Sequence, residues 1–383
     1  GYFVARMHQG AVQSAAVSQD GRRFLTVGAD KLAWLWGFDD ANRPRPLVAL
    51  AGHEGSVNAV ALSTDGRWGA TAGHDKTVRV WDLVKSNPNE SVKILEGHAD
   101  EITKLAYSPD GALLFSASTD KTVRAWKSAD WTGTVHGGHT DEVVTLAVSP
   151  NGHWLVSADL AGQLRVWDLE APLGTAKQQE VAHESEIWML AFSADSKWMV
   201  SGSSDRNARL WTVGKDGIKA GAMLRGHTDQ ITAASFSANG KWLVTGSRDS
   251  SIRLWDLASE HPDEGARMFE LPDKVAVEQV AFTPDSKRVV IGGSDGAMHF
   301  WYPDPAGRDD HTLLPGHEKR VSALVMPSDG SYVLSASFDG TARVWPLEPK
   351  LLIRRACATV GRGPSEDEWK TWLPGRKYEA ICG

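Results

Sequence analysis

Short apolar runs, each closed by a turn signal, recur along the whole chain. One stretch shows the pattern clearly. Val57 to Leu62, Trp68 to Ala72, Val78 to Trp81 and Val92 to Leu95 are rich in β-branched and aromatic residues, which suit a pleated, half-buried surface. Asp65-Gly66 separates the first two runs. Asp-Gly or Asn-Gly between apolar runs signals a hairpin, because these residues tolerate positive φ. The pattern therefore predicts four short antiparallel strands per unit. So small a sheet cannot bury both its faces alone, but similar sheets arranged radially bury them against one another.

The unit repeats eight times. Trp36, Trp81, Trp126, Trp167, Trp211, Trp255, Trp301 and Trp345 are spaced 41 to 46 residues apart. The positions 28 residues before them are His8, His53, His98, His139, His183, His227, Asp273 and His317. Eighteen residues after each of these stand Thr26, Thr71, Ser116, Ser157, Ser201, Thr245, Ile291 and Ser335. Twenty-two after them stand Asp30, Asp75, Asp120, Ala161, Asp205, Asp249, Asp295 and Asp339. Each column agrees in seven of eight copies. A turn dipeptide, Asp20-Gly21 in the first copy and Asp329-Gly330 in the last, falls at a constant offset in every unit. Such periodicity marks a repeat architecture.

These residues resemble the WD40 repeat proteins. Gly-His stands at Gly52-His53, Gly97-His98, Gly138-His139, Gly226-His227 and Gly316-His317, and Trp-Asp at Trp81-Asp82, Trp167-Asp168 and Trp255-Asp256. The resemblance covers residues 1–348 and implies an all-β, eight-bladed propeller; a seven-bladed ring with one displaced unit is the alternative. It also implies a hydrogen-bonded tetrad in each blade. The complete sets are His8/Thr26/Asp30/Trp36, His53/Thr71/Asp75/Trp81, His98/Ser116/Asp120/Trp126, His183/Ser201/Asp205/Trp211, His227/Thr245/Asp249/Trp255 and His317/Ser335/Asp339/Trp345. Ala161 breaks the fourth set, and Asp273 and Ile291 break the seventh. Phe3 to Arg6 are expected to supply the outer strand of the last blade and close the ring. The seventh unit is expected to form a real blade with a poorer tetrad.

Residues 349–383 leave the repeat. Leu351 to Val360 suit a short helix, and Ser365 with Glu368 reads as a capping box opening a second helix through Trp369 and Trp372. The apolar content suggests that this tail docks on the propeller. It is similar to the extension that follows propellers in some large bacterial signalling proteins.

Charge and cysteine usage narrow the function classes. The net charge of −7 does not favour nucleic acid or anionic lipid. No apolar run approaches the roughly 20 residues of a membrane span. Cys357 and Cys382 either pair or stay as free thiols; the chain otherwise reads as cytoplasmic. The first residue is Gly1, which suits a fragment or a processed or tagged product.

His, Ser/Thr, Asp and Trp together look catalytic. However, a catalytic set occupies one pocket, and this set recurs around a ring, so the tetrads read as scaffold. The histidines stand about 44 residues apart, without the close pairing of a zinc site. No metal and no cofactor are expected.

Function then falls to the loops. The residue before each tetrad Asp position varies: Ala29, His74, Thr119, Leu160, Ser204, Arg248, Ser294 and Phe338. So does the fifth residue after each His position: Gln13, Asn58, Thr103, Val144, Trp188, Thr232, Glu278 and Ser322. Variation at a fixed offset marks positions the fold does not dictate. Trp188, His74, Arg248, Phe338 and Arg320 are the candidate contacts for a protein or peptide partner, beside the acidic Asp100, Glu101, Asp141, Glu142, Glu186 and Asp229. The expected function is a non-catalytic interaction, scaffold or sensor module, part of a larger bacterial multidomain protein. The rival expectations are an enzyme with a funnel site on one face and a structural subunit of a stable assembly.

Overall fold

A computed structural model describes residues 2–40, 43–172, 174, 176–303 and 310–347. These residues form eight four-stranded antiparallel sheets. Seven of the sheets follow the chain from an inner to an outer strand, and the eighth takes its outer strand from the start of the chain. In the second blade the strands are Val57–Leu62, Trp68–Gly73, Val78–Asp82 and Lys93–Leu95. Each inner strand packs beside the next, and the inner strand of the eighth blade, Val321–Val325, packs beside that of the first, Val12–Val17. The ring therefore closes with eight blades.

Closure uses both ends of this architecture. Phe3–Ala5 forms the outer strand of the eighth blade, pairing Phe3 with Val344, Val4 with Arg343 and Ala5 with Ala342. Arg6 lies just beyond the strand. Two side chains add to the seam: Ser322 Oγ donates to the Val12 carbonyl at 2.6 Å and the Tyr332 hydroxyl to the Gly21 carbonyl at 2.9 Å.

The core consists of layers between blades. Val78, Val80 and Leu95 of the second blade meet Ile102, Leu105, Leu114 and Trp126 of the third. Both faces of each sheet are thus covered by neighbours, which explains why strands such as Phe24–Gly28 and Trp154–Asp159 are buried at every residue. Hydrophobic transfer, worth about 25 cal/mol per Å² of apolar surface, acts across these layers.

The seventh blade is complete, with strands Val277–Phe282, Val289–Gly293, Met298–Tyr302 and Asp310–Leu314. Its tetrad is not. Ile291 offers no hydroxyl, and Trp301 Nε1 is buried without a partner. The helical and docked tail over 349–383 and the pairing of Cys357 with Cys382 lie outside the described residues. Among the described residues no helix is long and apolar enough to cross a membrane.

Candidate functional site

The tetrads form the support of the candidate face. In seven blades the Trp indole lies 2.8–3.1 Å from the Ser or Thr hydroxyl. That hydroxyl lies 2.7–2.9 Å from His Nε2. His Nδ1 lies 2.7–3.0 Å from a carboxylate. The direction follows from the inventory of donors. Indole can only donate, so the hydroxyl accepts from it and passes its own proton to Nε2. The imidazole proton then sits on Nδ1 and goes to the carboxylate. Every member has a partner, which makes the network rigid.

The electrostatics agree. Burial alone would raise the carboxyls of Asp75, Asp120 and Asp249, but the hydrogen bond from the paired histidine and the backbone amides outweigh it and hold them below the ordinary range. Burial pushes His317 down to about 4, against the pull of Asp339.

The fourth blade corrects the sequence reading. Ala161 does not leave its tetrad open, because Asp159 supplies the carboxylate, 2.9 Å from His139 Nδ1. Asp159 stands two residues earlier, where other blades carry Gly or Ser. At the equivalent Gly28, a Cβ would lie 2.7 Å from His8 Nδ1, so this position faces the imidazole and a longer acidic side chain reaches it. Asp159 Oδ1 also accepts the amides of Ala161 and Gln163 at 3.1 and 3.0 Å.

A fifth repeated position escaped the sequence reading. Arg79, Arg124, Arg165, Arg209, Arg253 and Arg343 each precede the tetrad Trp by two residues. Arg124 Nη2 donates to the Gly97 carbonyl at 2.6 Å and Arg253 Nη2 to that of Gly226 at 2.8 Å. These contacts explain the Gly of Gly-His. Gly97 has φ +139°, and a Cβ there would lie 2.6 Å from Arg124 Nη1.

Above this support runs a rim of identical backbone. Every inner strand carries a register shift near its start, as between Val12 and Ser14, Ile102 and Lys104, or Ile187 and Met189. The skipped residue is Gln13, Asn58, Thr103, Val144, Trp188, Thr232, Glu278 or Ser322. These are the variable residues five after each His position. A bulge frees a side chain from ladder pairing and re-aims it. The variable residue before each tetrad Asp position lies next to it, because its amide donates to a residue just ahead of the inner strand: His74 to Ser56, Ser204 to Glu186, Arg248 to Gln230 and Phe338 to Arg320, at 3.0–3.2 Å.

Four bulged residues stitch to the next blade. Thr103 Oγ1 donates to the Val143 carbonyl at 2.8 Å, Thr232 to Val277 at 2.6 Å and Ser322 to Val12, while Asn58 Nδ2 reaches Glu101. Val144 and Trp188, side by side in the ring, make no such stitch among the described residues. Trp188 is instead held within its own blade, its indole donating to Ser204 Oγ at 2.8 Å, and it stays 43% exposed.

The candidate contacts fall on this rim in separate groups. His74 lies 3.1 Å from Glu101. Trp188 donates to Ser204 Oγ, and the Glu186 carboxyl is lowered chiefly by the hydrogen bond from the Ser185 hydroxyl, with a smaller contribution from Ser204. Arg320 lies 4.1 Å above the Phe338 ring and 3.8 Å from Glu278. Arg248 is exposed, and its guanidinium has no ion pair among the described residues. Asp100 and Asp141 lie 3.7 and 4.0 Å from Lys76 and Lys121. Asp229 caps the amide of Gln230 at 2.7 Å. Glu142 is half-buried, and its carbonyl accepts the Leu160 amide.

Comparison with known proteins agrees with this geometry. A profile described as the IFT122 first beta-propeller matches residues 82–304, and the WD domain, G-beta repeat, matches 3–37, 44–82 and 308–346. Cilia- and flagella-associated protein 52 of Bos taurus is 28% identical over 88 residues, 22% of this chain and 14% of that protein. Its Homo sapiens counterpart is 28% identical over 88 residues, covering the same shares. The periodic tryptophan protein 2 homolog of Schizosaccharomyces pombe is 35% identical over 81 residues, 21% of this chain and 9% of that protein. The chain thus spans only a small part of these relatives' length. All three are eukaryotic, and the expected likeness to bacterial signalling proteins finds no counterpart among them. With the first profile covering more than half of its residues, this chain belongs to the family of the IFT122 first beta-propeller, built from WD40 repeats.

Proposed function

We propose that this propeller is a non-catalytic recognition module that presents its bulged rim to a protein or peptide partner. One observation carries the reading. Eight bulges at the same place in the register hold seven different side-chain types, and the largest of them, Trp188, stays substantially exposed although its indole N–H is already satisfied. An exposed indole fixed in one orientation loses little entropy on binding, and Trp and Arg are the residue types that dominate interface hot spots. Arg248, one blade along, is the second anchor, and Glu186 and Glu142 flank Trp188 on the acidic side. A cytoplasmic setting goes with this reading, supported by the sparse cysteine content. The segments shared with the relatives are too short to bring those proteins' partners across.

The test is capture of partners from an extract by the immobilised full chain, compared with Trp188→Ala/Arg248→Glu. Loss of a specific partner by the double variant, with an unchanged thermal melt, supports the reading. Equal capture by both proteins refutes it.

A further inference from the structure

The seam where the ring closes carries a groove that the rim does not use. It lies between the first and eighth blades and encloses about 450 Å³. Phe38, Tyr332, Val344 and Pro346 supply its apolar wall, and Asp20, Asp39 and Asp329 its acidic part. The wall is fixed: the Phe38 and Tyr332 rings lie 5.3 Å apart, and the Tyr332 hydroxyl is anchored on Gly21. Asp20 and Asp329 sit at exposed turn positions, while Val344 and Pro346 are buried. Arg43 already engages Asp39 at 2.8 Å, and Arg22 is the one cation among the groove's lining residues.

The described chain ends beside this groove. Pro346 lines it, and the next amide, Leu347, donates to the carbonyl of Ser331, another lining residue, at 3.0 Å. The sequence that follows is the chemical complement. Leu351, Leu352 and Ile353 are apolar; Lys350, Arg354, Arg355 and Arg362 are basic, against a single acid, Glu348, up to residue 362. Leu351 follows Leu347 by four chain steps, a reach of at most about 14 Å in extended chain.

We propose that the segment 348–362 docks in this groove, its apolar triplet against Phe38 and Tyr332 and its arginines beside Asp20 and Asp329. It then bridges the eighth blade to the first and acts as a second clasp on a ring otherwise closed by the three-residue strand Phe3–Ala5. The occupant is this chain's own tail because tethering gives it a high effective concentration at the groove and because its charge opposes that of the lining.

Hydrogen exchange of the full chain tests this with three variants. Asp20→Asn/Asp329→Asn removes two charges but keeps the turn acceptors, and Asn-Gly already serves as this turn at Asn151-Gly152 and Asn239-Gly240. Leu351→Asp/Leu352→Asp disables the tail and leaves the groove intact. Arg354→Glu/Arg355→Glu reverses the tail charge. In the wild-type chain, residues 350–356 and 329–332 are expected to exchange slowly. Each variant is expected to speed exchange at both segments about tenfold or more, and the wild-type protection is expected to weaken as salt rises. A synthetic peptide of residues 348–362 is expected to restore protection of 329–332 in Leu351→Asp/Leu352→Asp. Three results would overturn the proposal: unprotected exchange of 350–356 in the wild-type chain, protection at 329–332 that the tail variants leave unchanged, or protection that depends on protein concentration together with a dimer mass, which would make a second copy the occupant.

Discussion

Asp159 gives the sharpest test of the tetrad argument. Asp159→Ser leaves two donors without an acceptor, His139 Nδ1–H and the Gln163 amide; the Ala161 amide keeps one, because serine at this position accepts the amide two residues on, as Ser203 does from Asp205. The His139 and Asp159 side chains are both fully buried. An orphaned buried donor costs about 1–3 kcal/mol. Gln163 is half-buried, so water replaces part of what its amide loses, but the imidazole has no such substitute. The sum is about 3 kcal/mol, a large share of the roughly 5–15 kcal/mol of a typical domain. A second change should reverse it. Asp159→Ser/Ala161→Asp recreates the arrangement of the fifth blade, where Ser203 and Asp205 hold these places, and should recover most of the loss. Urea unfolding followed by tryptophan fluorescence gives the total, and hydrogen exchange over Val143–Val148 and Trp154–Asp159 localises it. If the single variant costs less than about 1 kcal/mol, or the double variant is no more stable than the single, the tetrads do not act as closed hydrogen-bond chains and the reasoning fails.

Other predictions follow from the same geometry. Gly97→Ala should destabilise by about 1–3 kcal/mol, since it forces a side chain into a positive-φ position against the Arg124 guanidinium; a thermal melt shifted by less than a degree would refute this. Ile291→Ser gives Trp301 a hydroxyl but should still cost about 1–3 kcal/mol, because removing a fully buried aliphatic side chain outweighs one hydrogen bond; urea midpoints decide. The pH profile should have an acid limb. His317 binds its proton near 6.5 when unfolded and near 4 when folded, so its contribution to stability is full above pH 6.5 and falls as pH drops toward 4, by up to about 3 kcal/mol. The carboxylates of Asp75, Asp120 and Asp249, depressed in the fold, keep their contribution through that window and lose it only at still lower pH. Urea midpoints that stay constant from pH 7.5 to 4.5 would contradict this.

Much of the architecture was legible because the repeat reports its own period. The Trp, His, hydroxyl and Asp columns predicted eight blades, and the resemblance they carry implied the tetrad pairing; the blades are all present and the pairing holds in seven of them. What escaped was substitution in space rather than in register. Asp159 does the work of an Asp at 161 from two residues away, which a column comparison scores as a loss. The arginine column was hidden because an Arg on a strand reads as a solvated residue, and only the packing shows it lying on the positive-φ glycine of Gly-His. The rim positions were found by their variability. The bulge that frees them leaves no mark in composition, because it is a register shift in the backbone and any residue type occupies it.

The pairing of Phe3 with Val344 also sets a schedule for biogenesis. The two partners leave the ribosome some 340 residues apart, an interval of roughly 20 to 70 seconds at ordinary elongation rates. Throughout it the nascent arc of blades has two raw edges and no way to seal them. Chaperones that shield sheet edges should therefore matter most for the final blade. At high concentration the same short strand can find the eighth blade of a neighbouring molecule first, so strand exchange between copies is the misassembly this topology invites.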